Sequence, residues 1–460
     1  MTGHDHYPAQ RAAELTARVE QQHPQVIDAL RDLIRIPSVS AGIEHRTEVV
    51  ASAELVAAQF RAAGCEVDIV EAGGHPSVIA HRAGPEGAPT VLLYAHHDVQ
   101  PTGDPHEWDS PPFEPTQRED RLFARGAADD KAGVAVHLAA LLAHGDSLPV
   151  SVTVLIDGEE EIGSPTLADL IETHHDRLTA DVIVIADALN WAVGTPALTR
   201  SLRGLLDVVV DVATLDHPLH SGAWGGPVPD ALGALITTLA SLWNTDGSVA
   251  VAGVSTSTQA SPVEYDDTRF RTEAGLLDGV ALVGDGPLTD RLWHQTSLTV
   301  TTVEGPPVAE AANSLTATAR AKISVRLSPG DEVERTYTAL VDHLQRHVPH
   351  GAHLTVTRGA TAEPAQVPTN PTVQTAAMNA LRLAWDGAEP VEIGCGGTLP
   401  LISLFKQACP DAAVLVTGVE DPDTRAHGTN ESLHLDDFRR ACIAEALLLQ
   451  LLSTPEGTAP

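Results

Sequence analysis

Lysine is almost missing from this 460-residue chain: only Lys131, Lys322 and Lys406 carry an ammonium. The remaining positive charge is arginine, and acids outnumber it to a formal net charge of −34. Such a surface repels phosphate backbones and anionic lipid, which argues against nucleic acid and membrane as partners. Aromatic residues are scarce too, at 3%. Cysteine is limited to Cys65, Cys395, Cys409 and Cys442 without CxxC spacing, so a disulfide scaffold is excluded. No run reaches the roughly 18 apolar residues of a membrane span. The opening "MTGHDHYPAQRAAEL" lacks a basic stretch leading into an apolar one. A soluble, cytoplasmic protein is expected, and the sequon at Asn430-Glu431-Ser432 is then a chance match.

Apolar residues make up 43% of the chain, enough to bury real cores, and the length favours two domains. Residues 10–35 read as an opening helix. Strands "TVLLYA" (90–95), "VSVTVLID" (150–157) and "DVIVIAD" (181–187) then alternate with helices, one over 129–145 and one opening at the Ser-Pro of "SPTLADLIETHH". Continuous apolar strands between helices predict a buried, mostly parallel sheet. After about residue 200 the pattern changes. "LLDVVVDVAT", "SLTVTTVEG", "ATARAKISVRLSP" and "AHLTVTRG" read as strands, with helices near 228–243 and 331–347. The first rhythm returns with a helix at 371–386, the strand "AAVLVTGV" and a closing helix from Asp436. The expected architecture is an α/β catalytic domain (1–199 and 366–460) carrying an inserted α+β domain (200–365).

The strand ends carry the chemistry. "VLLYA" runs into His96, His97 and Asp98; "VTVLIDG" into Glu159, Glu160 and Glu161; "VIVIA" into Asp187. His427 follows "VLVTGV", and Asp129 and Asp130 open a helix. In an open parallel sheet, ligands bind beyond the carboxyl ends of the strands. Alone, each residue reads as a cap, a turn or a surface group. Converging on one edge, they call for a cation. Histidine with carboxylate suits Zn²⁺ or Mn²⁺. The set is large enough for two ions sharing a carboxylate, with a glutamate left over as general base.

In order, "HHDVQP", "ARGAADDKAG", "GEEEIGSP", "LHSGAWGG" and "AHGTNESLHL" resemble the motifs of the M20 metallopeptidases, closest to the dipeptidase and carnosinase-like branch. The likeness spans about residues 30 to 450. It implies a mostly parallel zinc-peptidase catalytic domain with an inserted lid and dimerisation domain. It also implies two divalent ions, zinc first and manganese second, about 3.5–4 Å apart as in other two-metal sites. His96, Asp129 and Asp187 resemble the ligands of one ion. Asp129, Glu161 and His427 resemble those of the other, with the Asp129 carboxylate bridging and the Asp129–Asp130 peptide cis. Glu160 resembles the base that takes a proton from the bridging water. Asp98 resembles the group that holds His96 through its second nitrogen, with His97 a spacer. In the inserted domain, His220 resembles a histidine that stabilises the oxyanion in a partner subunit, implying a homodimer. Arg326 resembles the arginine that holds a substrate carboxylate, and Asn313 a lid residue. Thr398 keeps a hydroxyl in "IGCGGTLP", but Gly394 and Cys395 replace the family's Arg-Glu. "NSLTA" also lacks the proline often found in the lid motif, and "PLHSG" the acid before Leu219. These departures bear on the substrate.

The expected activity is hydrolysis of dipeptides or similar short amides. An N-acyl-amino-acid amidohydrolase shares the metal set and differs in the pocket. A non-catalytic metal-binding protein is disfavoured by the retained general base. A two-metal phosphoesterase is disfavoured by the acidity and the missing phosphate loop.

Overall fold

The computed structural model describes residues 9–42, 45–254, 261–397 and 401–453. Two compact units divide the chain. One takes the described residues of Met1–Arg200, Val367–Ile393 and Leu401–Pro460, the other those of Ser201–Gln366 and Gly394–Pro400.

The first unit is built on a mixed sheet. Strand Thr90–His96 lies at its centre, parallel to Ser151–Asp157 on one side and Val182–Ile185 on the other. Ala413–Val416 continues the parallel run beside Val182–Ile185. The far flank is antiparallel: Ser77–Arg82 pairs with Ser151–Asp157, and Glu66–Val70 with Ser77–Arg82. Those two flanking strands form a hairpin, which needs no crossover helix. Helices Ala9–Ile34, Lys131–His144, Pro371–Ala384 and Leu435–Leu452 pack together, and their apolar side chains share a core with Val91, Leu93 and Ala95. Tyr94, of opposite pleat, meets Phe405 of helix Leu401–Ala408 edge-on, with ring centroids 5.8 Å apart. Burial on both faces explains the uninterrupted apolar runs.

The helix expected at Ser164-Pro165 begins at Leu167 instead. Ser164 has φ of 45° and its hydroxyl donates to Asp157 Oδ2 at 2.6 Å, so it closes the preceding turn. Helix Arg46–Ala62 and the hairpin after it lie where the sequence suggested no element.

The second unit holds a four-stranded antiparallel sheet. Its order is Ser297–Glu304, Thr318–Leu327, Gly204–Ala213, His353–Ala362. Leu206, Val208, Val210 and Val212 alternate inward and share a core with helices Ala231–Ala240 and Val333–His347. Gly204–Ala213 is an interior strand, paired on both sides, and the open edges belong to the two outer strands. Between Ala240 and Ser297 the described residues include two short helices, Asp267–Glu273 and Leu288–Trp293.

Candidate metal centre

Parallel register assembles the site. His96 lies opposite Asp157, and Tyr94 opposite Ile185. Ala186 N donates to Tyr94 O at 3.0 Å, which brings Asp187 level with His96. Glu160 and Glu161 form a 3₁₀ turn just beyond Asp157. Asp129 and Asp130 precede helix Lys131–His144, and the peptide between them is cis, as the resemblance implies.

Asp129 sits between two histidines. Its Oδ1 is 3.1 Å from His96 Nε2, and its Oδ2 is 3.0 Å from His427 Nε2. Glu161 Oε2 approaches the same His427 nitrogen at 3.3 Å. Donor atoms of Asp129, Glu161 and His427 converge within 4.8 Å, and so do those of His96, Asp130 and Asp187. The second trio names Asp130 where the sequence pointed to Asp129. Asp130 is otherwise engaged: Oδ1 accepts from Gly133 N at 3.1 Å as the helix cap, and Oδ2 from His96 N at 3.2 Å. Asp129, with an oxygen toward each histidine, is better placed to be shared.

The glutamates of the triplet divide by their partners. Glu159 is buried and accepts from His75 N at 3.0 Å and from Thr166 N at 2.7 Å, so it braces the turn. Glu161 is held by Gln100, whose N and Nε2 donate at 3.0 and 2.7 Å. Glu160 accepts no side-chain hydrogen bond among the described residues, and its Oε2 lies 4.0 Å from His96 Nε2.

Asp98 reaches His96 chiefly through its backbone. His96 Nδ1 is 3.0 Å from Asp98 O and 3.4 Å from Oδ1. The Asp98 carboxylate instead accepts from Glu160 N at 3.2 Å and Glu161 N at 3.1 Å. His97 is more than a spacer: fully buried, it bonds Pro76 O through Nε2 at 2.9 Å. Burial pushes its imidazole down to about 4, so it stays neutral.

The charges do not balance within the cluster. Burial, then the neighbouring acids Asp187, Glu161 and Asp98, raise Glu160 well above the usual carboxylate range, although His96 opposes this. Burial also pushes Asp187 up to about 7. Hydrogen bonds to the Asp129 and Glu161 carboxylates push His427 up to about 11. Acids that protonate and a histidine that clings to its proton mark a place that wants a cation. Imidazole and carboxylate donors fit a divalent one.

The remaining expected residues belong to the second unit. His220 is exposed and its strand pairs with Ser314–Leu315. Asn313 adjoins it, its carbonyl accepting from Ser221 N at 3.0 Å. Arg326 lies on strand Thr318–Leu327 opposite Leu205 and Ser297. Thr398 lies outside the described residues. Gly394 is packed against Trp293: an added Cβ would come within 2.5 Å of the Trp293 Cβ, which leaves no room there for the family's arginine.

Sequence reading missed Gln100, the bracing role of Glu159, and a buried pair, Arg125 and Glu431, whose carboxylate faces the Asp129 loop. All lie inside the quoted motifs, but nothing in their spacing separates them from neighbours.

A buried histidine and carboxylates at parallel strand ends, beside a glutamate with no side-chain hydrogen bond among the described residues, define a candidate metal-dependent hydrolase. Comparison with known proteins agrees. Residues 92–450 match the family model described as Peptidase family M20/M25/M40. A cysteinylglycine-S-conjugate dipeptidase of Corynebacterium striatum is 34% identical over 437 residues, covering 92% of this chain and 95% of that one. A Cys-Gly metallodipeptidase of Schizosaccharomyces pombe is 26% identical, covering 91% and 94%. The crystal structure of human carnosine dipeptidase 1 shares the fold, with a TM-score of 0.83 at 24% identity over 96% of this chain and 98% of that one. The chain belongs to peptidase family M20/M25/M40.

Proposed function

We propose that this peptidase hydrolyses dipeptides, using two divalent ions and Glu160 as general base. The observation that carries the reading is Asp129, whose two carboxylate oxygens face His96 and His427 separately. In this reading His96, Asp129 and Asp187 hold one ion, and Asp129, Glu161 and His427 the other. Zinc suits the donors best, manganese next. When bound, such ions make water more acidic and polarise the amide carbonyl.

The chain's own residues do the rest. Glu160 takes a proton from the attacking water on its carboxylate and returns it to the leaving amine. Asp98 fixes the Glu160–Glu161 backbone through two N–H bonds. Burial and the acids around Glu160 hold its carboxyl well above the usual carboxylate range, which makes it a stronger base. Arg326 suits a substrate carboxylate. Asn313 and Thr398 are assigned to substrate contact on the resemblance alone.

The protein acts as a homodimer in this reading, with His220 serving the partner's site. His220 Nδ1 accepts from Gly222 N at 3.0 Å, which fixes the tautomer with Nε2 as donor. Trp224 and Ile236, 54% and 56% exposed, offer apolar surface on the same unit. None of the four cysteines is in a disulfide, which accords with a cytoplasmic setting, and no described helix is long and apolar enough to cross a membrane.

Turnover of a dipeptide panel by metal-reconstituted protein, beside N-acetyl and N-succinyl amino acids, tests the reading. Dipeptides should be cleaved. Turnover of the N-acyl compounds alone would replace dipeptidase with amidohydrolase.

A further inference from the structure

We infer that Arg125 and Glu431 are a positioning pair for the metal centre, setting the Asp129 carboxylate against His427. The inference rests on the metal-site reading above.

Glu431 is completely buried and uses both oxygens fully. Oε2 accepts from Arg125 Nη1 at 2.7 Å and Gly126 N at 3.0 Å. Oε1 accepts from Ala128 N at 3.0 Å and Asp129 N at 3.2 Å. One carboxylate therefore organises the irregular segment from Arg125 to Asp129, which has no ladder of its own. Its last donor is the backbone of the shared aspartate.

The same residue belongs to the loop that carries His427, four positions earlier. Its backbone is anchored too: Ala124 N donates to Glu431 O at 3.1 Å, and Ser432–His434 pairs with Arg121–Phe123. Arg125 adds a third loop. Its Nη2 donates to Pro101 O at 3.1 Å, at the end of the segment that starts with His96 and includes Gln100. The pair thus ties together three loops that bring His96, Asp129 and His427.

A buried ion pair placed only for stability could be replaced by apolar packing with little loss. This one is different because its acceptors are spent on the amides that aim a ligand. Glu431→Gln keeps the shape but presents an NH₂ group to two donors. The Asp129 loop should then shift while the fold remains.

The experiment measures Zn²⁺ affinity by competition with a chromophoric chelator on the full chain, together with thermal unfolding of the metal-free protein. Wild type and Asp129→Asn come first. Wild-type affinity in Asp129→Asn would overturn the site reading and this inference with it. If Asp129→Asn binds more weakly, Glu431→Gln is expected to lose about 10- to 100-fold in affinity, the usual cost of removing a ligand's support. Its metal-free unfolding temperature should stay close to wild type. With the metal-free variant folded at the assay temperature, unfolding takes nothing from the apparent affinity, so a purely structural role leaves the dissociation constant unmoved. Unchanged affinity in a folded Glu431→Gln overturns the inference. Should Glu431→Gln fail to fold, Glu431→Asp decides, since it keeps the charge and withdraws it by one methylene. At least a 10-fold loss supports the pair's role; wild-type affinity, or failure of this variant to fold as well, overturns it.

Discussion

Asp98→Asn separates two ways in which an aspartate could serve this site. The carboxylate accepts from Glu160 N at 3.2 Å and Glu161 N at 3.1 Å. Asparagine supplies one acceptor oxygen, so one amide loses its partner and meets an NH₂ group. A hydrogen bond to a charged acceptor is worth about 1.5–3 kcal/mol. If that is lost from the reacting geometry, kcat/KM falls about 10- to 150-fold. His96 should keep its orientation, because its Nδ1 is 3.0 Å from the backbone carbonyl of residue 98, which the substitution preserves. The loss should therefore persist at saturating metal. The assay is dipeptide turnover across a metal titration, with thermal unfolding of the metal-free protein as control. Turnover within threefold of wild type refutes the argument. Full recovery with excess metal refutes it differently, because Asp98 would then act through the grip of His96 and not through the Glu160–Glu161 turn.

Glu160→Gln should retain metal and lose about 10²–10⁴ in kcat, the usual scale for a missing general base; near-normal turnover would move that role to another residue. Elemental analysis should give two metals per chain, falling in Asp129→Ala, and a stoichiometry of one that ignores the mutation would remove the paired site. Mixing His220→Ala with Glu160→Ala should restore activity in up to about half the sites of the heterodimer, because one site then pairs both intact residues; no recovery on subunit exchange places His220 in its own chain's chemistry. His144 is buried, with Nε2 2.9 Å from Ala446 O, and burial holds its imidazole below the ordinary value. The unfolded chain then binds more protons below about pH 6.5, so stability is lost as pH falls through that range. His144→Gln should flatten this acid loss in denaturant titrations of the metal-free protein, and an unchanged slope would assign the loss to other groups.

Much of the fold was legible because its signals are local. Continuous apolar runs such as Val91–Ala95 and Val182–Ile185 mark strands covered on both faces. Alternation in Gly204–Ala213 marks a strand covered on one. Helix Arg46–Ala62 was overlooked because its apolar face is small and its alanines carry little pattern. The helix start at Leu167 was misplaced because Ser164 answers to Asp157, which lies behind it in the chain.

The sequence alone determined which residue types reach the sheet edge and in what order, since a strand's last residues follow directly from its apolar run. Ordered motifs were enough to nominate His96, Asp129, Glu160, Glu161, Asp187 and His427. Only the tertiary structure decided what each carboxylate does. Asp130 became a helix cap, Glu159 a brace, and Asp98 a support for the turn beyond His96. Glu431 became the organiser of a loop 302 residues away in sequence. The physical reason is that a carboxylate's role depends on which donors surround it. Those donors are mostly backbone amides, which every residue carries and no sequence pattern distinguishes until the chain has folded.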